Sequence, residues 1–313
     1  MSHPTGTRRK RRRITTVASA AATTVLVLAT AGGGSVLAAQ SGGGEPLHIL
    51  LSNDDGVGSL GIESMQDALE DAGHRVTVVA PSSDRSGSGG GITTEPFDVE
   101  RIADDTWAVD ATPATSVAVG LDAIVDEPVD LVVSGINDGA SNAGETALVS
   151  GTVGATTSAI SELLGGDAVP AVALSSWPPA DDVEEHFALI GRYGVELVEE
   201  LFEHRGNNPV LTEPLALNVN FPVGHARDAG ETEVTTQGKG ALLPGIGAAE
   251  FGYTLEDGTA TIGAAPLDAD QPRDSDITAG EGGAVTITPF DGDLTAPVQQ
   301  RKQVENVLGE LTR

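Results

Sequence analysis

Three short polar runs carry the residues best suited to chemistry: Asn53-Asp54-Asp55-Gly56, Asp84-Arg85-Ser86-Gly87 and Ser134-Gly135-Ile136-Asn137-Asp138-Gly139. Adjacent carboxylates repel each other unless they are protonated, solvated or bridged by a cation. With carboxylate, hydroxyl and amide oxygens as the donors, that cation would be a hard one such as Mg2+, Mn2+ or Ca2+. Asp-Asp-Gly is also a common turn, so one cluster alone decides nothing. Three such clusters, each placed just after an apolar run, favour a metal site. A fourth element, Ser150-Gly151-Thr152-Val153-Gly154-Ala155, opens a helical stretch. Ser150 suits an N-cap, and the free backbone N–H groups at that end would equally hold a phosphate. Capping alone accounts for the motif in isolation, whereas a nearby cation favours phosphate.

The elements that must position these runs read as α/β. Leu47 to Leu51 is a short apolar run of the kind buried on both faces of a parallel sheet. Ile62, Met65, Leu69 and Ala72 then mark one face of a helix closed by Gly73, and Val76 to Ala80 is a second strand halted by Pro81. Further apolar runs at Leu131 to Val133, Val169 to Leu174 and Leu215 to Val219 alternate with helical stretches near 114–125, 151–164 and 183–203. Such alternation predicts a mainly parallel, Rossmann-like sheet between two helical layers. In that architecture ligands collect beyond the carboxyl ends of the strands, where the polar runs fall. The core spans about 47–224. From about 225 the chain turns rich in Gly, Asp and Thr, with short β-like runs at Glu233 to Thr236 and Ala284 to Thr288. It reads as hairpins and a C-terminal arm, without a helix before Gln299 to Leu311.

Composition removes several alternatives. With no Cys, thiol nucleophiles and Cys-ligated metal centres are excluded. All 46 acidic residues follow residue 40, against 11 basic ones there, so nucleic-acid polymers and anionic membranes are poor partners. A small phosphate ester stays open, because a divalent cation reverses the local sign. His3, His48, His74, His186, His204 and His225 show no metal-protease spacing and read as core or surface residues. No Gly-x-Gly-x-x-Gly follows the first strand, which ranks a dinucleotide enzyme last, and no EF-hand spacing is present.

Residues 1–40 read as a targeting segment. Arg8 to Arg13 are uniformly basic, residues 14 to 39 carry no charge, and Val36-Leu37-Ala38 offers a cleavage site. A mild apolar stretch behind Arg12-Arg13 suits a twin-arginine signal, and a retained membrane anchor is the alternative. Either way the body is expected outside the cytoplasm, extracellular or in the cell envelope. Residues 41–46 read as a linker and 47–313 as the folded domain.

Several motifs together resemble the SurE family of 5′/3′-nucleotidases. They are Ile49-Leu-Leu-Ser-Asn-Asp-Asp-Gly56, Ala80-Pro-Ser-Ser-Asp-Arg-Ser-Gly87, Asp130-Leu-Val-Val-Ser-Gly-Ile-Asn137, Ser150-Gly-Thr-Val153, Leu217-Asn-Val-Asn-Phe-Pro222 and Ala284-Val-Thr-Ile-Thr-Pro289, in family order. The resemblance implies a phosphomonoesterase that uses Mg2+ or Mn2+ on nucleoside monophosphates or other phosphate esters, and a homodimer or tetramer formed through C-terminal segments. By motif position, Asp54, Asp55, Ser86 and Asn137 are the implied metal ligands, with Ser150, Gly151, Thr152 and Asn142 beside the phosphate. Asp54 and Asp55 are the candidate catalytic carboxylates, Asp54 as general base or nucleophile. Where the family reads Ser-Gly-Ile-Asn-x-Gly-x-Asn-x-Gly, this chain has one extra residue between Gly139 and Asn142, so Asn142 is displaced from the motif position. The rival reading is an extracellular module that uses the same cation to capture phosphorylated ligands without turnover.

Overall fold

The computed structural model describes residues 45–139, 141–164, 167–203 and 215–308. The chain divides into Met1–Ala39 and Gln40–Arg313, and the described residues all belong to the second unit; the expected targeting segment lies outside them.

Apolar runs pair as the sequence pattern predicts. β1 (His48–Ser52) lies between β2 (Arg75–Pro81) and β5 (Leu131–Asp138), and β6 (Ala171–Ser176) and β7 (Ala216–Asn220) extend the parallel sheet beyond β5. One edge is formed by β4 (Thr106–Val109), parallel to β2, and β3 (Val99–Ala103), antiparallel to β4. At the other edge β12 (Val285–Phe290) runs antiparallel to β7 and parallel to β8 (Thr232–Val234). The nine-stranded order is β3-β4-β2-β1-β5-β6-β7-β12-β8.

Alternate side chains along each strand feed two cores. Ile49, Leu51, Val78, Val133 and Leu174 face α1 (Leu60–Asp71) and α4 (Val183–Glu203), where Ile62, Met65, Leu69, Phe187 and Ile190 bury. Leu50, Val79 and Val132 face α2 (Pro113–Val119) and α3 (Gly151–Ala159) with Val117 and Ala155. The result is a three-layer α/β/α body.

Two helices are shorter than their patterns suggest. Beyond α2 the chain passes into a single π turn, Gly120–Ile124, where a Cβ at Gly120 would meet Leu50 Cδ1 at 2.5 Å. α3 stops at Ala159 because that residue's carbonyl accepts from Val169 N–H, folding the chain back toward β6.

The extension departs further from expectation. It contains a helix before the arm, α5 (Asp276–Glu281), capped by Ser275 Oγ accepting from Thr278 N–H. At six residues it is too short for a periodic apolar stripe to reveal it. β9 (Ala241–Leu243), β10 (Gly247–Glu256) and β11 (Thr259–Pro266) form a separate antiparallel sheet. On the β10–β11 hairpin Phe251 pairs with Ala264, Tyr253 with Ile262 and Leu255 with Ala260, so one face is wholly apolar, and it is exposed. An exposed helix, α6 (Val298–Leu308), closes the described chain.

Candidate active site

The polar runs converge at the carboxyl end of β1, β2 and β5. Asn53, fully buried, closes the first turn: its Nδ2 donates to Gly56 O at 3.0 Å and Ser59 Oγ at 2.7 Å, and its Oδ1 accepts from Gly56 N–H. Gly56 has φ +108°, a conformation that an L side chain rarely adopts, and this lets the chain reverse directly after the two aspartates. The Asp-Asp-Gly motif therefore is a turn, and the turn presents both carboxylates at the strand end.

Each carboxylate is tied to a different neighbouring run. Thr152 Oγ1 donates to Asp54 Oδ1 at 2.6 Å, joining β1 to the start of α3. Asp138 N–H donates to Asp55 Oδ2 at 3.0 Å, joining β1 to β5. Arg85 N–H donates to the Asp54 carbonyl at 2.7 Å and brings the Asp84–Gly87 run alongside. Asn137 is buried one residue before the end of β5, and Ser86 is exposed, its Oγ donating to Asp84 Oδ1 at 2.7 Å.

Electrostatics mark this cluster. Burial pushes the Asp54 carboxyl above the usual carboxylate range, against the opposing Thr152 hydrogen bond. Asp55 is pushed up to about 7, chiefly by burial, with the charges of Asp54, Asp138 and Asp84 adding to the shift. Burial likewise raises Asp138, whereas the Ser86 hydroxyl and N–H hold Asp84 low. Among the described residues no ion pair involves Asp54 or Asp55; the guanidinium of Arg85, whose backbone N–H reaches Asp54, is paired with Asp110 at 2.5 Å. A buried and a half-buried carboxylate that repel each other, with oxygen donors around them and no ion pair among the described residues, fit a hard divalent cation.

The start of α3 closes over the same space. Ser150 Oγ accepts from Val153 N–H as an N-cap. A Cβ on Gly151 would lie 2.7 Å from Asp54 Cβ and 2.8 Å from both Asp54 Oδ2 and Ser88 Oγ, so only glycine allows this approach. Ser88 escaped the sequence reading. Its Oγ is buried and lacks a hydrogen-bond partner, and Gly89 N–H, bonded to Val149 O at 3.0 Å, holds its loop against the turn before α3.

Asn142 sits deeper than the other phosphate candidates. Its Nδ2 donates to Ser175 Oγ at 2.5 Å, its N–H to Asn220 Oδ1 at 2.7 Å, and its carbonyl accepts from Asn218 Nδ2 at 2.8 Å. Asn218 and Asn220 alternate along β7 with Leu217, Val219 and Phe221, which face the α1–α4 core. The Asn-Val-Asn motif thus lines the floor beneath the 141–144 loop.

A second acidic group, Asp182, Glu185 and His225, brings ligand-type atoms within 4.8 Å of one another. Arg227 already occupies it, its Nη2 lying 2.8 Å from Glu185 and 3.3 Å from Asp182. The buried histidines are structural: His48 Nε2 contacts Thr77 Oγ1 at 3.0 Å, and His186 bonds Ser176 and Ala226 N–H.

Residues 49–242 match the family described as survival protein SurE. The 5′-nucleotidase SurE of Stenotrophomonas maltophilia is 35% identical over 267 residues, covering 85% of this chain and 97% of that protein. The 5′-nucleotidase SurE of Picosynechococcus sp. is 38% identical over 202 residues, 62% of this chain and 70% of that protein. The crystal structure of the SurE protein from Aquifex aeolicus superposes with a TM-score of 0.67 at 31% identity, covering 83% of this chain and 99% of that one.

Proposed function

Because the chain belongs to the SurE family, we propose that it is a divalent-metal-dependent phosphomonoesterase that hydrolyses nucleoside 5′- and 3′-monophosphates to nucleoside and phosphate. The observation that carries this reading is the meeting of Asp54 and Asp55 with the start of α3 through the Thr152–Asp54 hydrogen bond. Asp54, Asp55, Ser86 and Asn137 would hold Mg2+ or Mn2+. When bound, the cation would draw charge from a phosphoryl oxygen and make a coordinated water more acidic.

The chain's own residues divide the remaining work. Ser150, Gly151 and Thr152 at the α3 terminus face the phosphate, where backbone N–H groups and the helix dipole favour negative charge. Thr152 fixes the rotamer of Asp54, which either accepts a proton from the attacking water or attacks phosphorus itself. In the direct case Asp54 takes the water's proton as the water oxygen bonds to phosphorus, the ester P–O bond breaks, and the leaving oxygen takes up that proton to give the nucleoside. In the other case the Asp54 oxygen displaces the nucleoside from phosphorus and water then cleaves the acyl phosphate, releasing phosphate and the carboxylate. Asn142 braces the loop that precedes α3.

Export and self-association complete the proposal. Arg12-Arg13 ahead of an uncharged stretch supports a twin-arginine route. Replacing both by Lys should stop export, and unchanged export of that variant removes the route. The exposed apolar face of the β10–β11 hairpin supports a homodimer or tetramer.

Phosphate release from a panel of nucleoside monophosphates, with Mg2+, Mn2+ or EDTA, tests the function. Turnover with either metal that EDTA abolishes is expected. Metal-dependent nucleotide binding without phosphate release would instead establish the capture module.

A further inference from the structure

Asp276, at the start of α5, is 1% exposed and has no cationic partner among the described residues. A buried carboxylate is retained only when hydrogen bonds replace its hydration. Its Oδ1 accepts from Gly238 N–H at 2.7 Å and Ile277 N–H at 2.8 Å, both within the C-terminal extension. Oδ2 accepts from Gly144 N–H at 2.9 Å, across 132 residues of sequence.

Gly144 is held from its other side as well. Its carbonyl accepts from Gln237 Nε2 at 2.9 Å, and the next residue, Glu145, donates its N–H to Gly240 O and accepts from Gly240 N–H. Gly144 has φ +65°, and a Cβ there would lie 2.4 Å from Gly240 O, so backbone packs on backbone. Two residues before it stands Asn142. After it a 3-10 turn, Gly144–Leu148, leads to Ser150, whose N–H donates to Thr146 O. Gly144 is therefore the pivot between Asn142 and the phosphate-facing start of α3.

We propose that Asp276 is a positioning residue for phosphate binding, fixing Gly144 together with Gln237 and thereby setting the Gly144–Ser150 segment that leads into the phosphate-facing N–H groups of α3, while the Thr152–Asp54 bond holds Asp54 itself. This rests on the nucleotidase reading of the site. Asp276 reaches neither β1 nor the Asp84–Gly87 run, so its removal acts on phosphate affinity and leaves metal affinity alone.

The experiment compares full-length wild type, Asp276→Asn and Gln237→Ala, measuring kcat and KM for a nucleoside monophosphate, inhibition by inorganic phosphate, and the Mn2+ activation constant. In Asp276→Asn the KM and the phosphate inhibition constant should rise about tenfold, with kcat within twofold and the Mn2+ constant unchanged. Gln237→Ala, which keeps the buried carboxylate and its N–H bonds, should shift both in the same direction by about threefold, and it decides the matter if Asp276→Asn does not fold. Wild-type turnover with KM unchanged in the folded variants, or with Mn2+ affinity falling in step, overturns the positioning role alone. Absence of wild-type turnover overturns the nucleotidase reading and this role with it.

Discussion

At the residue scale, the chemistry of the site depends on what each contact does to Asp54 and Asp55. Thr152→Val is nearly isosteric and removes one hydrogen bond to a charged acceptor, an interaction worth about 1.5–3 kcal/mol. If that bond orients Asp54 in the transition state, kcat should fall tenfold or more, and the thermal midpoint should drop by only several degrees, leaving the variant folded. An unchanged kcat contradicts the role given to Thr152. Asp55 makes a separate statement about stability. Its native carboxyl, raised to about 7, holds a proton that the unfolded chain has lost near 3.8, so in EDTA this group's contribution to stability is full below 3.8, is lost as pH rises from 3.8 to about 7, and is absent above that. Asp55→Asn in EDTA at pH 8 should therefore be as stable as wild type or more so, by about 1 kcal/mol. A lower melting temperature in EDTA would show that the carboxylate is a structural acceptor for Asp138 N–H instead.

At the scale of elements, His186 shows how α4 is fastened to the sheet. Ala226 N–H donates to Nδ1, so Nε2 carries the proton and donates to Ser176 Oγ at the end of β6. Burial pushes the imidazole down to about 4. Between pH 4 and 6.5 the unfolded chain binds a proton that the native state does not, so stability from this group is complete above 6.5 and is lost as pH falls toward 4, by about 3 kcal/mol. Asp55 contributes the opposite slope over much of this window. The difference in unfolding free energy between wild type and His186→Gln, measured from pH 4 to 7, isolates the histidine; a pH-independent difference contradicts the assignment. Elements were legible in the sequence wherever burial on both faces makes a continuous apolar run, as in β1, β2, β6 and β7. The edge pair β3–β4 was not, since Val99 to Ala103 is exposed along its length and carries no such run. The candidate residues Asp54, Asp55, Asn137 and Ser150 were legible because they stand beside strand and helix ends that local pattern reveals. Ser88 and Asp276 were hidden, because their contacts are with residues far away in sequence.

At the scale of the whole molecule, an acidic body carries an exposed apolar face on the β10–β11 hairpin. Like charges keep such molecules apart at low salt, while Phe251, Tyr253, Leu255 and Ile262, between 53% and 76% exposed, favour association. A two-fold axis through the hairpin would lay this face on its own copy, covering aromatic and aliphatic groups without burying charge. Light scattering should give a dimer or tetramer for the wild type and a smaller species for Tyr253→Asp, with association strengthened by moderate salt as the surface charge is screened. A monomeric wild type, or a Tyr253→Asp variant of unchanged mass, contradicts the hairpin interface.

The measurement that bears most directly on the central claim is Mn2+-dependent phosphate release by Asp55→Asn beside Asp67→Asn. Asp55→Asn keeps the size of the side chain and removes one charge from the cluster, whereas Asp67 lies exposed on α1. Asp55→Asn should lose at least a hundredfold in kcat/KM and need more Mn2+ for half-maximal rate, while Asp67→Asn should match wild type. An Asp55→Asn enzyme with near-normal release at the same Mn2+ concentration would mean that the Asp54–Asp55 turn is only a turn, and the metal site would have to lie elsewhere.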